Sequence, residues 1–389
     1  MDKQNRKSGF LRNSIIAFLV SILAVYNFTP LLSSADEEKK EKRVIVSMGD
    51  SYSAGEGMPP FYGQDSIAKI RDQDWLGHRS TTSWPGMLSV SGVGQMNQHK
   101  NDNWYFVASS GAETTHLFNS QEKKYTGDNL FGKESINPQL AILDKLDAPP
   151  DYITLTLGGN DAGFANILTD AVCSGTYYEP GKLASKINRT MDNLYADGGI
   201  LDSLLRSYNA IYGKTGNSTT IIVAGYPKLL DPKGAPAIMF NREECALIND
   251  SVHIFNEEIR KLVEKCKQSG MNIEYVSVEE AFEGHGAYSS NPYLNPVIIG
   301  PQSEDLTLNP ASAYSMHPNY LGALAYARCV QAAIDRIEKE RGFDRLYATP
   351  TPTSTPTPTP SPTPKPTSTP KPKKKKVKKK KKPKVDPQS

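Results

Sequence analysis

Five short apolar runs recur through the middle of this 389-residue chain, each set apart from the next by enough residues to hold a helix. Val44 to Ser47, Trp104 to Ala108, Tyr152 to Leu157, Thr220 to Ala224 and Asn272 to Ser277 are predicted strands. Their nearly unbroken apolar character is what strands buried on both faces require. Helical periodicity falls between and after them, over Pro138 to Leu146, Leu183 to Tyr195, Ile200 to Tyr212, Ala246 to Ser269 and Leu321 to Arg341. A parallel neighbour is reached only through a long, right-handed crossover, so this alternation places helices on both faces of one sheet. The expectation is an α/β fold of three layers, α/β/α, on a flavodoxin-like parallel sheet occupying residues 36–347. The sequence contains no internal repeat.

Open sheets of this kind carry their sites beyond the carboxyl ends of the strands. Met48-Gly49-Asp50-Ser51-Tyr52-Ser53 follows Val44-Ile45-Val46, so a small hydroxyl nucleophile stands where a sharp turn lifts it from a buried strand. Ser109-Ser110-Gly111-Ala112-Glu113 follows the second run and Gly158-Gly159-Asn160-Asp161 the third, while His317-Pro318-Asn319 comes on the approach to the last helix. Singly, each has a bland reading: Ser51 as a turn cap, Gly111 as a positive-φ turn, Asn160 as a helix cap. Together, at successive strand ends, they point to one site.

In that chain order Ser51, Gly111, Asn160 and His317 resemble the four blocks of the SGNH (GDSL-type) hydrolases. The resemblance spans roughly Val44 to Ile334 and includes His78-Arg79-Ser80 with Trp84-Pro85, and Phe282-Glu283-Gly284-His285-Gly286, segments found in a secreted esterase and lipase branch. It implies a carboxylic ester hydrolase. Ser51 is the expected nucleophile and His317 the general base, with an oxyanion hole formed by the N–H groups of Ser51 and Gly111 and the side-chain amide of Asn160. Most members place an Asp three residues before the catalytic His, and this chain has Tyr314 there; the nearest upstream acids, Glu304 and Asp305, lie at least twelve residues away. In the branch with an aromatic at that position the backbone carbonyl orients the imidazole, so the Tyr314 carbonyl is the expected acceptor for His317 Nδ1–H, with a distant carboxylate as the alternative. Arg79 is expected to bind a polar substrate group or brace the Ser51 turn, and His285 to be a structural histidine.

The ends of the chain differ from its body. Lys3, Arg6, Lys7 and Arg12 precede an apolar stretch from Ile15 to Val25 and the small residues Ser33-Ser34-Ala35, the layout of a signal peptide over 1–35, cleaved after Ala35. Eleven apolar residues are short of the roughly 20 that a membrane span needs, which disfavours an uncleaved anchor. Residues 348–372 alternate Pro with Thr, Ser and a few Lys and read as an extended linker, and 373–389 as a disordered lysine-rich tail. The net charge of +3 conceals this division: Ala348 to Ser389 holds twelve Lys against one Asp, and 1–35 four basic residues against one Asp, leaving about −11 on the body. On an exported chain the polyanion that such a tail meets is a cell-wall polymer or a membrane surface, not nucleic acid, the alternative being a solvated tail without a partner. The expected location is secreted and extracellular, in association with the wall.

Four cysteines, Cys173, Cys245, Cys266 and Cys329, allow three pairings, and an exported chain permits disulfides. Related enzymes carry more cysteines in framework bridges, and Gly77 and Tyr288 stand near where two of them are expected. Cys173–Cys245 is the favoured pair because both lie in loop-like segments. No metal-ligand spacing, P-loop or dinucleotide fingerprint occurs, so no cofactor and no metal are implied. Phe61, Tyr62, Trp75 and Trp84 are expected to cap the cleft, stacking on sugars or lining an acyl channel, or else to form a satellite core. The spacer and tail tilt the substrate towards acetylated glycans. The alternatives are a lipase or phospholipase acting on acyl esters, and a non-catalytic wall-binding protein on a hydrolase fold.

Overall fold

A computed structural model describes residues 42–125, 132–164, 182–236 and 240–343. Its centre is a five-stranded parallel sheet of β1 (Ile45–Gly49), β2 (Trp104–Phe106), β3 (Tyr152–Thr156), β4 (Thr220–Ala224) and β5 (Ile273–Val276), in the order β2-β1-β3-β4-β5. This is the doubly wound, flavodoxin-like order expected. Every residue of β1, β3 and β4 is buried, as helices on both faces require. Register is continuous across the centre, with Ile45 opposite both Trp104 and Tyr152, and Ile153 opposite Ile221.

The helices follow from the same burial logic. α1 (Ser51–Ala54) is one turn after β1; α2 (Lys182–Tyr195), α3 (Ile200–Thr215) and α4 (Arg242–Gln268) pack on one another, while α5 (Tyr320–Glu340) packs on β5 and on the turn Trp84–Met87. In α3 the buried positions Ile200, Leu204, Ser207, Tyr208, Ile211 and Thr215 recur at the helical period, making one face apolar. Asn241 opens α4 with a reciprocal capping box to Glu244, and Asn319 opens α5 by accepting from the N–H groups of Leu321 and Gly322. That cap, two residues after His317, fixes the start of the helix at Tyr320.

Two features departed from the sequence reading. Gln139–Lys145 is a 3₁₀ helix, and an antiparallel hairpin, Gln121–Tyr125 with Gly132–Ile136, follows Gly111. The hairpin strands are mostly polar, so they carry no alternating apolar signal. The leader, the linker and the lysine tail lie outside the described residues.

Candidate active site

The end of β1 is built to turn. Gly49 has φ +111°, and a Cβ there would sit 2.2 Å from Thr156 O, so only glycine fits between β1 and β3. Gln139 clamps the same peptide, accepting from Gly49 N at 2.7 Å and donating to Gly49 O at 2.8 Å. Asp50 then caps α1, accepting from Tyr52 N at 3.0 Å and from the Thr156 hydroxyl at 2.6 Å, and its other oxygen accepts from the Tyr226 hydroxyl. Burial pushes the Asp50 carboxyl up to about 6, against these three hydrogen bonds. Ser51 is thereby the first residue of a helix whose cap is anchored to β3 and to the end of β4.

His317 reaches it from the other side of the cleft, its Nε2 2.7 Å from Ser51 Oγ. The loop bearing the ring is unusual: Met316 has φ +62°, its side chain is buried, and its carbonyl accepts from the Tyr52 hydroxyl at 2.8 Å. Burial holds the imidazole below its ordinary range, while the Glu56 charge and the carbonyls of Ala313 and Ser315 act in the opposite sense. A buried imidazole that stays neutral is equipped to accept the Ser51 proton.

The expected role of Tyr314 is corrected. Its carbonyl accepts from His317 N at 3.3 Å and from Asn295 Nδ2 at 3.2 Å, whereas His317 Nδ1 is buried without a hydrogen-bond partner. The Tyr314 carbonyl is thus taken by the His317 N–H and the Asn295 amide; the carbonyls that act on the ring belong to Ala313 and Ser315. Glu304 and Asp305 are engaged elsewhere, with the Tyr314 hydroxyl and with the N–H groups of Gln302 and Ala313. The carboxylate whose charge acts on His317 is Glu56, fully buried and 2.9 Å from His78 Nδ1. Desolvation works to raise Glu56, but His78, helped by His317 and Ser110, holds it down at about 2.

Gly111 and Asn160 occupy the expected strand ends. Gly111 has φ +72°, and Asn160 donates through Nδ2 to Ala112 O at 2.9 Å, tying the two loops together. Asp161 adds a second tie, accepting from the Thr114 N–H and hydroxyl. Ser51, Gly111, Asn160 and His317 line one cavity of about 240 Å³, whose remaining wall includes Phe164, Leu229, Val252, Val297, Ala311 and Met316. The arrangement combines a hydroxyl, a neutral base and a largely apolar chamber that Gly111 and Asn160 also line.

A model of the GDSL-like lipase/acylhydrolase family matches residues 45–327. The chain belongs to that family. It is 26% identical over 254 residues to a lipase of Streptomyces rimosus, covering 65% of this chain and 76% of the relative, and 25% identical over 252 residues to lipase 1 of Streptomyces coelicolor, covering 65% and 75%. Among solved structures, the extracellular lipase of S. rimosus superposes with a TM-score of 0.50 at 24% identity, over 73% of this chain and 99% of that one. The phospholipase A1 of Streptomyces albidoflavus does so with a TM-score of 0.53 at 20% identity, over 76% and 99%. These structures share the fold of this GDSL hydrolase, and family membership makes it an ester hydrolase.

Several expectations about neighbouring residues change. Arg79 does not face the cavity: it donates to Ala108 O at 2.8 Å, Val107 O at 3.2 Å and Asp74 at 2.7 Å, bracing the chain after β2. His285 stacks on Tyr293 with ring centres 3.8 Å apart, a structural role as expected. Phe61 and Trp75 form a satellite cluster with Tyr314, as the satellite-core reading expects, whereas Trp84 is fully buried in the main core against Tyr326. Cys245, Cys266 and Cys329 form no disulfide among the described residues, and Cys245 is buried in the core on α4; the expected Cys173–Cys245 pair involves Cys173, which lies outside the described residues. Among the described residues no group of His, Cys, Asp or Glu is placed to hold a metal ion.

Proposed function

We propose that this GDSL hydrolase is an exported serine acyl hydrolase whose substrate is an ester of a medium or longer acyl chain. Ser51 Oγ attacks the acyl carbon while its proton passes to His317 Nε2. The carbonyl oxygen becomes the oxyanion, received by the N–H groups of Ser51 and Gly111 and by the Asn160 amide. Collapse breaks the ester C–O bond, and His317 returns the proton to the departing alcohol. Water, deprotonated by His317, then attacks the acyl-serine; the acyl C–Oγ bond breaks, His317 returns the proton to Ser51 Oγ, and the acid is released.

The observation that carries the reading is the 2.7 Å contact of Ser51 Oγ with His317 Nε2 at the edge of a largely apolar cavity. Each methylene removed from water adds ~0.8 kcal/mol, so a chain six methylenes longer than acetyl gains up to about 5 kcal/mol, or roughly three decades in kcat/KM. Acetylated glycans, favoured by the spacer and tail, have less support, because Phe61, Trp75 and Trp84 are in the core and not available for stacking on sugars. The lysine tail is assigned to retention at an anionic wall polymer or membrane surface.

The test is hydrolysis of p-nitrophenyl esters from acetyl to dodecanoyl, beside acetylated xylan, by the wild type and Ser51→Ala. A rise in kcat/KM beyond butyryl that vanishes in Ser51→Ala is the expected result. Acetate release from xylan with no chain-length gain overturns the acyl-chain assignment, and Ser51-independent hydrolysis overturns the mechanism. Deleting residues 373–384 should release the protein from walls and leave hydrolysis intact.

A further inference from the structure

The peptide between Ser110 and Gly111 is held from several directions. Ser110 N donates to Gly77 O at 3.0 Å, and its side chain is hydrogen-bonded to the buried Glu56 carboxylate. Its carbonyl accepts twice from the first strand of the hairpin, from Gln121 Nε2 at 2.9 Å and from the Lys123 ammonium. Gln121 is itself locked, accepting from the Ser109 hydroxyl at 2.6 Å.

A trans peptide directs its C=O and its N–H to opposite sides. Fixing the Ser110 oxygen on the hairpin therefore turns the Gly111 N–H away from it. That N–H donates to no described acceptor, and Gly111 lines the cavity with Ser51, Asn160 and His317. A cation on the carbonyl also draws electron density from the amide, which makes the N–H a stronger donor to an oxyanion.

We infer that Lys123, with Gln121, is a positioning residue that aims and polarises the Gly111 donor of the oxyanion hole. The inference rests on the Ser51 mechanism proposed above. Lys123 acts through the Ser110–Gly111 peptide and does not touch the reacting atoms. Its ammonium faces Glu56, which favours the charged form, and Arg79 and His116 across the same space. Desolvation lowers Lys123 to about 8, with Arg79 adding to the fall and Glu56 opposing it. The charge on the peptide is therefore present at neutral pH and lost in mild alkali.

The test compares wild type, Lys123→Met, Lys123→Arg and Ser51→Ala on p-nitrophenyl butyrate from pH 6 to 10. Losing an oxyanion donor outright costs about a hundredfold to a thousandfold in kcat. Lys123→Met, which leaves the donor present but poorly aimed, should lose roughly tenfold to a hundredfold in kcat at pH 7 with KM within threefold. The wild-type kcat should fall above pH 8; that fall should be absent in Lys123→Met and absent in Lys123→Arg, whose guanidinium keeps its charge. A Lys123→Met enzyme within twofold of wild-type kcat, or an unchanged alkaline fall in Lys123→Arg, overturns the inference. The arginine variant decides the matter if the methionine variant does not fold. Activity surviving in Ser51→Ala overturns the underlying mechanism, a result separate from either lysine outcome.

Discussion

The hydroxyl of Tyr52 donates to the carbonyl of Met316 at 2.8 Å, so the residue after the serine holds the residue before the histidine. Met316 occupies the left-handed region at φ +62°, a conformation that costs a non-glycine residue of order 1 to 3 kcal/mol and persists only where its surroundings impose it. Tyr52 is part of that imposition. Burial, with the Asp50 charge beside it, raises its phenol far above the ordinary range, so it is a neutral donor at neutral pH. Its ring also lies 5.1 Å from the His317 ring.

Tyr52→Phe keeps the ring and removes the tether. We expect kcat to fall about tenfold with KM nearly unchanged, since misplacing a base by a fraction of an ångström affects the transition state more than binding. Steady-state kinetics on one ester decide it; an unchanged kcat means that packing alone holds the Met316 turn.

Asn160 is tied to Ala112 O through Nδ2 at 2.9 Å, which sets the plane of its amide beside Gly111. Asn160→Ala removes one oxyanion donor and the tie between the loops, and should cost two to three decades in kcat. Asn160→Asp, which presents a carboxylate where negative charge develops, should be at least as inactive. Measuring both at saturating ester separates a transition-state loss from weaker binding; a loss confined to KM would remove Asn160 from the oxyanion hole.

The sheet was legible because its strands are buried on both faces and therefore announce themselves as apolar runs; all five lie within two residues of their predicted ends. The shared place of Ser51, Gly111, Asn160 and His317 around one cavity was legible because strand ends and helix starts are local features. Glu56, Lys123, Gln121 and Tyr226 were not, because their importance arises from distant pairings. The Tyr226–Asp50 bond joins residues 176 positions apart and depends on β4 lying two strands from β1. Tyr314 shows the opposite failure: its position in sequence suggested an orienting carbonyl, but that carbonyl is taken by the His317 N–H and the Asn295 amide.

Asp50 makes stability depend on pH. Its carboxyl is raised from 3.8 to about 6 on folding, so the folded state holds the proton more tightly. The resulting stabilisation, about 3 kcal/mol in full, is present below pH 3.8 and is lost as pH rises through 6. Roughly 1 to 2 kcal/mol of it disappears between pH 5 and 8. Urea unfolding of wild type and Asp50→Asn should thus show a difference that moves by this amount in favour of the variant as pH rises. A constant difference would mean that Asp50 does not titrate in this range.

Ala311 is only partly buried and lines the cavity, which allows the chamber to be filled without overpacking the core. Ala311→Trp should leave acetyl ester hydrolysis within about threefold, because Ser51, His317 and the oxyanion donors are not altered. Each methylene that no longer enters the chamber forfeits ~0.8 kcal/mol, so three excluded methylenes should cost octanoyl ester turnover about fiftyfold in kcat/KM. The ratio of octanoyl to acetyl activity is the measurement, since it cancels any general loss of folded enzyme. A ratio that does not move places the acyl chain outside this cavity and returns the choice to short acyl groups on larger alcohols.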